Sequence, residues 1–142
     1  MVPQLSVFLQ NKAGKIAAIT RALHEAGVDI RALSIADTTD FGILRMLVDD
    51  ISTAKEALTD QHCIIKINDV VIVAVPDVPG ALSNVLELMA GAQIDIEYMY
   101  SLFNRGREDA YMVFRVSDEA RLIALLENNG IRIIDPEEIG LH

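Results

Sequence analysis

One pattern of glycine, apolar and acidic residues occurs twice in this chain, and the second copy follows the first by 66 residues. The first copy is Asn11 to Leu33, "NKAGKIAAITRALHEAGVDIRAL", and the second is Asp77 to Met99, "DVPGALSNVLELMAGAQIDIEYM". Gly80 repeats Gly14, and the apolar positions recur at the same spacing. A pattern repeated in this way indicates a repeated structural unit. We therefore predict two small modules, residues 1–68 and residues 69–142.

Each module is predicted to contain a strand, a helix, two strands, a helix and a final strand. Short apolar runs, "LSVFL" at residues 5–9 and "VIVAV" at residues 71–75, predict the buried first strands. Apolar residues at helical spacing follow each run. Thr53 and Glu56 have the spacing of a capping box at the start of the second helix. The last residues, 135–142, are predicted to form a polar tail.

The order β-α-β-β-α-β predicts an α+β fold in which each module is ferredoxin-like, with antiparallel strands and two helices on one face. We expect the two sheets to be joined side by side. The second strands, "RALSIA" and "YMYSLF", are too apolar to remain free edges, so we predict that they pair into one eight-stranded sheet. The apolar residues on its other face predict a homodimer.

Charge and hydropathy argue against several classes of partner. The net charge of −9 disfavours nucleic acid, whose phosphates require lysine and arginine, and it disfavours anionic membrane surfaces. No apolar run approaches the roughly 20 residues that span a bilayer, and the N-terminus does not resemble a signal peptide. With a single cysteine, Cys63, these features predict a cytoplasmic protein.

The segments "NKAGKIAAI…GVDI" and "DVPGALSNV…QIDI" resemble the ACT domain, and the resemblance covers almost the whole chain. That family consists of small ferredoxin-like modules that bind amino acids and often regulate amino-acid metabolism. Ala13 replaces the proline of the pattern, and Asp29 and Asp95 stand where the family most often has asparagine. The resemblance implies a non-enzymatic regulatory protein that senses a free amino acid at the module interface. An enzyme of amino-acid metabolism is the implied partner.

The turn between the first strand and the first helix of each module suits an amino acid chemically. Glycine lets the backbone approach a ligand, and the free amides of a helix start attract a carboxylate. Asn11 or Asp77 could accept hydrogen bonds from the α-ammonium group. The resemblance implies that the second strand of another module closes the pocket. The predicted binding residues are Asn11, Ala13, Gly14, Lys15, Ile16, Ile35 and Ala36, and in the second module Asp77, Pro79, Gly80, Ala81, Leu82, Ser101 and Leu102.

Structural roles for the same residues stay open at this point. Asn11 and Asp77 belong to residue types that cap helices. Gly14 and Gly80 are equally consistent with close helix–sheet packing, and Lys15 with a solvated side chain.

Other functions also stay open. The main alternative is a structural or regulatory subunit that binds no ligand and serves an amino-acid biosynthetic enzyme such as acetolactate synthase. A small enzyme such as an acylphosphatase is a third hypothesis, but its G-x-V-x-G-V-x-F-R loop does not occur in this sequence. His24, His62 and His142 lack metal-ligand spacing. We expect no catalytic residues, no metal and no cofactor.

Overall fold

The computed structural model describes residues 1–10, 12–37, 41–102 and 108–142. The chain forms two compact units, within each of which the Cα atoms are close together in space. The N-terminal unit contains residues Pro3–Asn68 and Gly140–His142, and the C-terminal unit contains Met1–Val2 and Asp69–Ile139. Residues 38–40 and 103–107 lie outside the described residues. They include most of "TTDFG" (38–42) and "NRGRED" (104–109), whose residue types predict turns between the second and third strands of each module.

The N-terminal unit is built on antiparallel strands in the order β2-β3-β1-β4. Its core lies between these strands and two helices, where Leu5, Val7 and Leu9 pack with helix residues such as Ile19 and Leu23. Its elements are β1 (Val2–Gln10), α1 (Lys15–Glu25), β2 (Ile30–Asp37), β3 (Phe41–Val48), α2 (Ile51–Leu58), a 3-10 turn (Thr59–Gln61) and β4 (Ile64–Pro76).

The C-terminal unit repeats this arrangement with the strand order β4-β6-β5. Its elements are the later part of β4, then α3 (Ala81–Gly91), β5 (Ile96–Leu102), β6 (Asp109–Val116), α4 (Glu119–Asn128) and a 3-10 turn (Pro136–Ile139). The predicted last strand is reduced to a single bridge between Ile133 and Val73, flanked by hydrogen bonds from Ala74 N to Arg132 O and from Ile134 N to Ile72 O. The predicted β-α-β-β-α-β order and α+β fold class are confirmed.

Three local predictions are wrong. β2 pairs only with β3, and β5 only with β6, among the described strands, so the two edges do not form the predicted eight-stranded sheet. Helix α2 is capped by Asp50, whose carboxylate accepts from Thr53 N, and not by a capping box starting at Thr53. The C-terminus is not a polar tail, because Leu141 is buried and His142 N donates to Asp49 O at 2.7 Å.

No helix of the described ranges is long and apolar enough to cross a membrane. The helices have 8 to 11 residues, which is far below the roughly 20 that a bilayer requires.

The cap of α2 predicts a pH-dependent contribution to stability. Thr53 Oγ1 donates to Asp50 Oδ2 at 2.7 Å, and this bond, with those from the backbone, lowers the pKa of the Asp50 carboxyl. A lowered pKa in the folded state stabilises the fold above the unfolded pKa of about 4, and the stabilisation is lost as the pH falls through the folded value. We expect Thr53→Val to lower the urea midpoint at pH 7 more than at about pH 2–3. Thr20→Val serves as the control because Thr20 Oγ1 bonds only to Ala17 O among the described residues, and its effect should not change with pH.

Candidate functional site

The same hydrogen-bonded turn joins strand to helix in both units. In the N-terminal unit, Lys12 N donates to Gln10 O at 2.9 Å and Lys15 N donates to Lys12 O at 3.2 Å. In the C-terminal unit, Val78 N donates to Pro76 O at 2.9 Å and Ala81 N donates to Val78 O at 3.3 Å. The described residues of the turn before α1 therefore form the same two backbone hydrogen bonds as those of the turn before α3.

Glycine is required in these turns by backbone conformation. Gly14 has φ 82° and Gly80 has φ 88°, values in the left-handed region that favours glycine. A Cβ atom built on either residue would meet no described atom within 4 Å. The open space beside both glycines contradicts the interpretation that they serve close helix–sheet packing.

The starts of α1 and α3 are not capped by side chains. Gly14 and Gly80 are the N-cap residues, and neither helix has a side-chain cap hydrogen bond among the described residues. Asp77 is exposed and does not cap α3, so that alternative is wrong for it. Asn11 lies outside the described residues, and its role stays a prediction. An uncapped helix start has free amides and a partial positive charge, both of which favour an anion.

The other predicted residues of the two turns fall into three groups. Ala13 and Pro79 are exposed, whereas Ile16, Ala81 and Leu82 are half-buried and pack against the cores of their units. Lys15 is not a solvated lysine, because its Nζ donates to the carbonyl oxygen of Gln61. That contact ties the start of α1 to the 3-10 turn. Ala81 stands at the equivalent position in the C-terminal unit, so the two turns differ in charge.

The predicted residues on the second strands do not lie beside the turn of their own unit. Ile35 and Ala36 pair with Leu44 and Ile43 of β3, which lies between β2 and β1. Ser101 and Leu102 pair with β6 in the same way, and Leu102 is buried. The predicted contact between these strands and the turn of another module stays a prediction.

A cavity of about 720 Å³ opens beside the first turn, and all its lining residues belong to the N-terminal unit. We call it the lysine cavity, because three of the four lysines of the chain line it. Lys66 Nζ lies 5.4 Å from the centroid of the Phe8 ring, which is within the range of a cation–π contact. The lining residues are Phe8, Leu9, Gln10, Lys12, Lys15, Phe41, His62, Cys63, Ile64 and Lys66.

Sequence reasoning identified Lys15 in this group but missed the cavity. The sequence signal for the cavity is that an acidic chain with few lysines places two of them, Lys12 and Lys15, in one turn. This signal does not belong to the 66-residue repeat. The lysine positions are not repeated: Val78 and Ala81 replace Lys12 and Lys15 at the 66-residue spacing.

The thiol in the lysine cavity is not an activated nucleophile. Burial raises the pKa of Cys63, and the positive charge of Lys15 offsets this effect only in part. The thiol therefore stays protonated near neutral pH. The described part of the chain also contains no group of three or more His, Cys, Asp or Glu residues that could hold a metal ion.

Comparison with known proteins identifies relatives of this arrangement. A sequence model described as the ACT domain pair matches residues 1–140. The crystal structure of protein BT0572 from Bacteroides thetaiotaomicron is 37% identical, has a TM-score of 0.90, and the match covers 98% of this chain and 95% of that one. The ligand-free regulatory subunit of aspartate kinase from Thermus thermophilus is 18% identical with a TM-score of 0.62, over 88% of this chain and 90% of that one, which shows a shared fold. No curated protein matches the chain.

The left-handed glycine turn predicts a measurable stability effect. Gly80→Ala should lower the free energy of unfolding by about 1–2 kcal/mol, because an L-residue is strained at this φ even though space for its Cβ is open. Gly91→Ala is the matched control, since Gly91 lies in α3 without a positive φ and also has open space. It should raise the free energy of unfolding by about 0.5–1 kcal/mol. Urea titration compares the two variants, and equal effects would contradict the assignment.

Proposed function

This chain belongs to the ACT domain pair family, and from that premise we propose that it is a non-enzymatic regulatory protein that senses a free amino acid. The observation that carries the proposal is the duplicated turn. In each unit a left-handed glycine with open space beside it precedes a helix that has no side-chain cap. In both units the helix start lacks a side-chain acceptor for its amides among the described residues, and a ligand carboxylate would take that place.

The proposed ligand is held by opposite charges at the two ends of the turn. Its carboxylate lies at the helix start, at Gly14 to Ile16 or at Gly80 to Leu82. The amides of Lys15 and Ala81 already donate within the turn, so the neighbouring amides donate to the carboxylate. Its α-ammonium group meets the side-chain oxygen three residues before the glycine, at Asn11 or at Asp77. A zwitterion presents both charges on one carbon, so a polar acceptor close to the helix start matches an amino acid in particular.

We propose that regulation acts through self-association or through a separate enzyme of amino-acid metabolism in the cytoplasm. The aspartate kinase regulatory subunit from Thermus thermophilus has a similar fold, and the proposal gives this chain a comparable role. The main alternative is a subunit that binds no ligand and contacts its enzyme only structurally. The two proposals differ in one measurable property, which is whether any free amino acid stabilises the protein.

The ligand proposal predicts that one or a few amino acids raise the melting temperature, because a ligand of the native state stabilises it by mass action. With that amino acid, Asp77→Ala and Asn11→Ala should each weaken binding at their own turn roughly ten- to a hundredfold, which corresponds to losing about 1.5–3 kcal/mol from a charge-assisted hydrogen bond. Isothermal calorimetry measures the affinities.

Asp135→Ala is the matched control, because Asp135 is an exposed aspartate outside both turns. Unchanged affinity in both turn variants would mean that the ligand lies elsewhere. If none of the common amino acids changes the melting temperature, the subunit without a ligand becomes the better account.

The homodimer proposal rests on the free edge of β2. Leu33 is 41% exposed on a strand that has a single neighbour among the described strands, and an apolar edge strand favours pairing with another chain. We expect sedimentation velocity to show a dimer at micromolar concentration and Leu33→Lys to shift it toward monomer. Ile67→Lys is the control, since Ile67 is 45% exposed on β4, and it should leave the dimer intact. A wild-type monomer would contradict the proposal.

A further inference from the structure

We propose that the lysine cavity binds a small organic anion that has an apolar body and lacks an ammonium group. This site goes beyond the amino-acid proposal. It uses a different ligand class, and it occurs only in the N-terminal unit. Because it includes Lys12 and Lys15 of the first turn, it competes with an amino acid there and leaves the turn at Asp77 to the amino-acid proposal.

The charge of the lysine cavity is unusual for this chain. The protein has 21 acidic residues and only four lysines, yet Lys12, Lys15 and Lys66 line one cavity. No lysine of the cavity forms an ion pair with a carboxylate of the described residues, and no described lining residue is acidic. Like charges brought together repel one another, and this repulsion is relieved when an anion binds.

The three lysines come from different elements and two of them are positioned by contacts. Lys15 is the first residue of α1 and is held by the carbonyl of Gln61. Lys66 lies on β4 over the Phe8 ring. Lys12 belongs to the turn before α1. Since no single segment of sequence supplies all three, their convergence is a property of the folded unit.

The walls of the lysine cavity supply the apolar contact. Phe41 is 56% exposed and Ile64 is 66% exposed, and both line the cavity together with Phe8. Aromatic and aliphatic side chains that remain this exposed gain by covering themselves with an apolar ligand. The volume of about 720 Å³ lies within the range of small-molecule sites, roughly 300–1,000 Å³.

The same charges argue against an amino acid in this cavity. The α-ammonium group of an amino acid would lie among three lysines, without a carboxylate from the described lining to accept it. A carboxylate that lacks the ammonium group avoids that repulsion and keeps every favourable contact. The ligand class is therefore an aryl or branched acyl carboxylate.

Three probes of nearly equal shape test this assignment by calorimetry with the full chain. The first is 3-phenylpropionate, the second is phenylalanine, which adds only the ammonium group, and the third is 3-phenylpropanamide, which removes only the charge. We expect 3-phenylpropionate to bind, with phenylalanine and the amide at least about tenfold weaker, and we expect its affinity to fall as salt is raised. No binding of 3-phenylpropionate at millimolar concentration, or equal binding of phenylalanine, would overturn the proposal.

Variants locate the probe in the cavity. Lys66→Gln and Lys12→Gln should each weaken 3-phenylpropionate binding about tenfold, the loss expected for one charged contact. Lys55→Gln is the matched control, because Lys55 is the one lysine outside the cavity, and it should bind like wild type. Cavity variants with wild-type affinity would also overturn the proposal.

The only cysteine provides a second readout at the same place. Cys63 lines the cavity, so bound 3-phenylpropionate should slow its alkylation by iodoacetamide, and unchanged alkylation at saturation would place the probe elsewhere. Asp77→Ala should leave 3-phenylpropionate binding unchanged. A failure of the amino-acid proposal at that residue is thereby distinguishable from a failure of this one.

Discussion

The left-handed glycine at the end of the first strand is the constraint on which each unit depends. Gly14 and Gly80 let the chain leave a buried strand and enter a helix within a few residues. The helix can then lay its apolar stripe across the strands, and Ile19 and Val85 reach the two cores in equivalent positions. A side chain at the glycine would strain the turn. The Cβ position of the same glycine faces open space, and within the described part of the chain the helix start has no side-chain cap, so one backbone requirement creates both the fold and the candidate ligand site.

The two units share this backbone but differ in charge. At the first turn Lys12 and Lys15 accompany the glycine, and Lys15 is anchored by the carbonyl of Gln61. At the second turn the corresponding residues are Val78 and Ala81, and Asp77 supplies a negative charge instead. Backbone amides attract a carboxylate in both cases. The side chains around a bound carboxylate would differ between the two turns, so the two proposed sites would favour different ligands although the units have the same fold.

The sequence predicted what depends on local patterns and failed where distant segments meet. Repeated glycines and apolar spacing predicted the element order of both units, because these features act within a few residues. The cap of α2 was misplaced, since Asp50 and Thr53 are both good capping residues and only the geometry selects Asp50. The burial of Leu141 and the convergence of Lys66 with Lys12 could not be predicted, because each joins residues that are far apart in the chain.

In the two proposed sites charge, and not shape, would decide which class of ligand binds. Two unit charges about 4 Å apart interact by about 1 kcal/mol in bulk water and by about 4 kcal/mol near a protein surface. Each buried methylene of an apolar ligand contributes only about 0.8 kcal/mol. In the proposed sites, one carboxylate such as Asp77 near a helix start would therefore suffice to favour an amino acid over its deaminated analogue, and three lysines without a carboxylate would reverse that preference. The apolar walls formed by Phe8, Phe41 and Ile64 would add contact area for a ligand of matching shape. Such contact does not distinguish a zwitterion from an anion, so it would select only among ligands of the same charge.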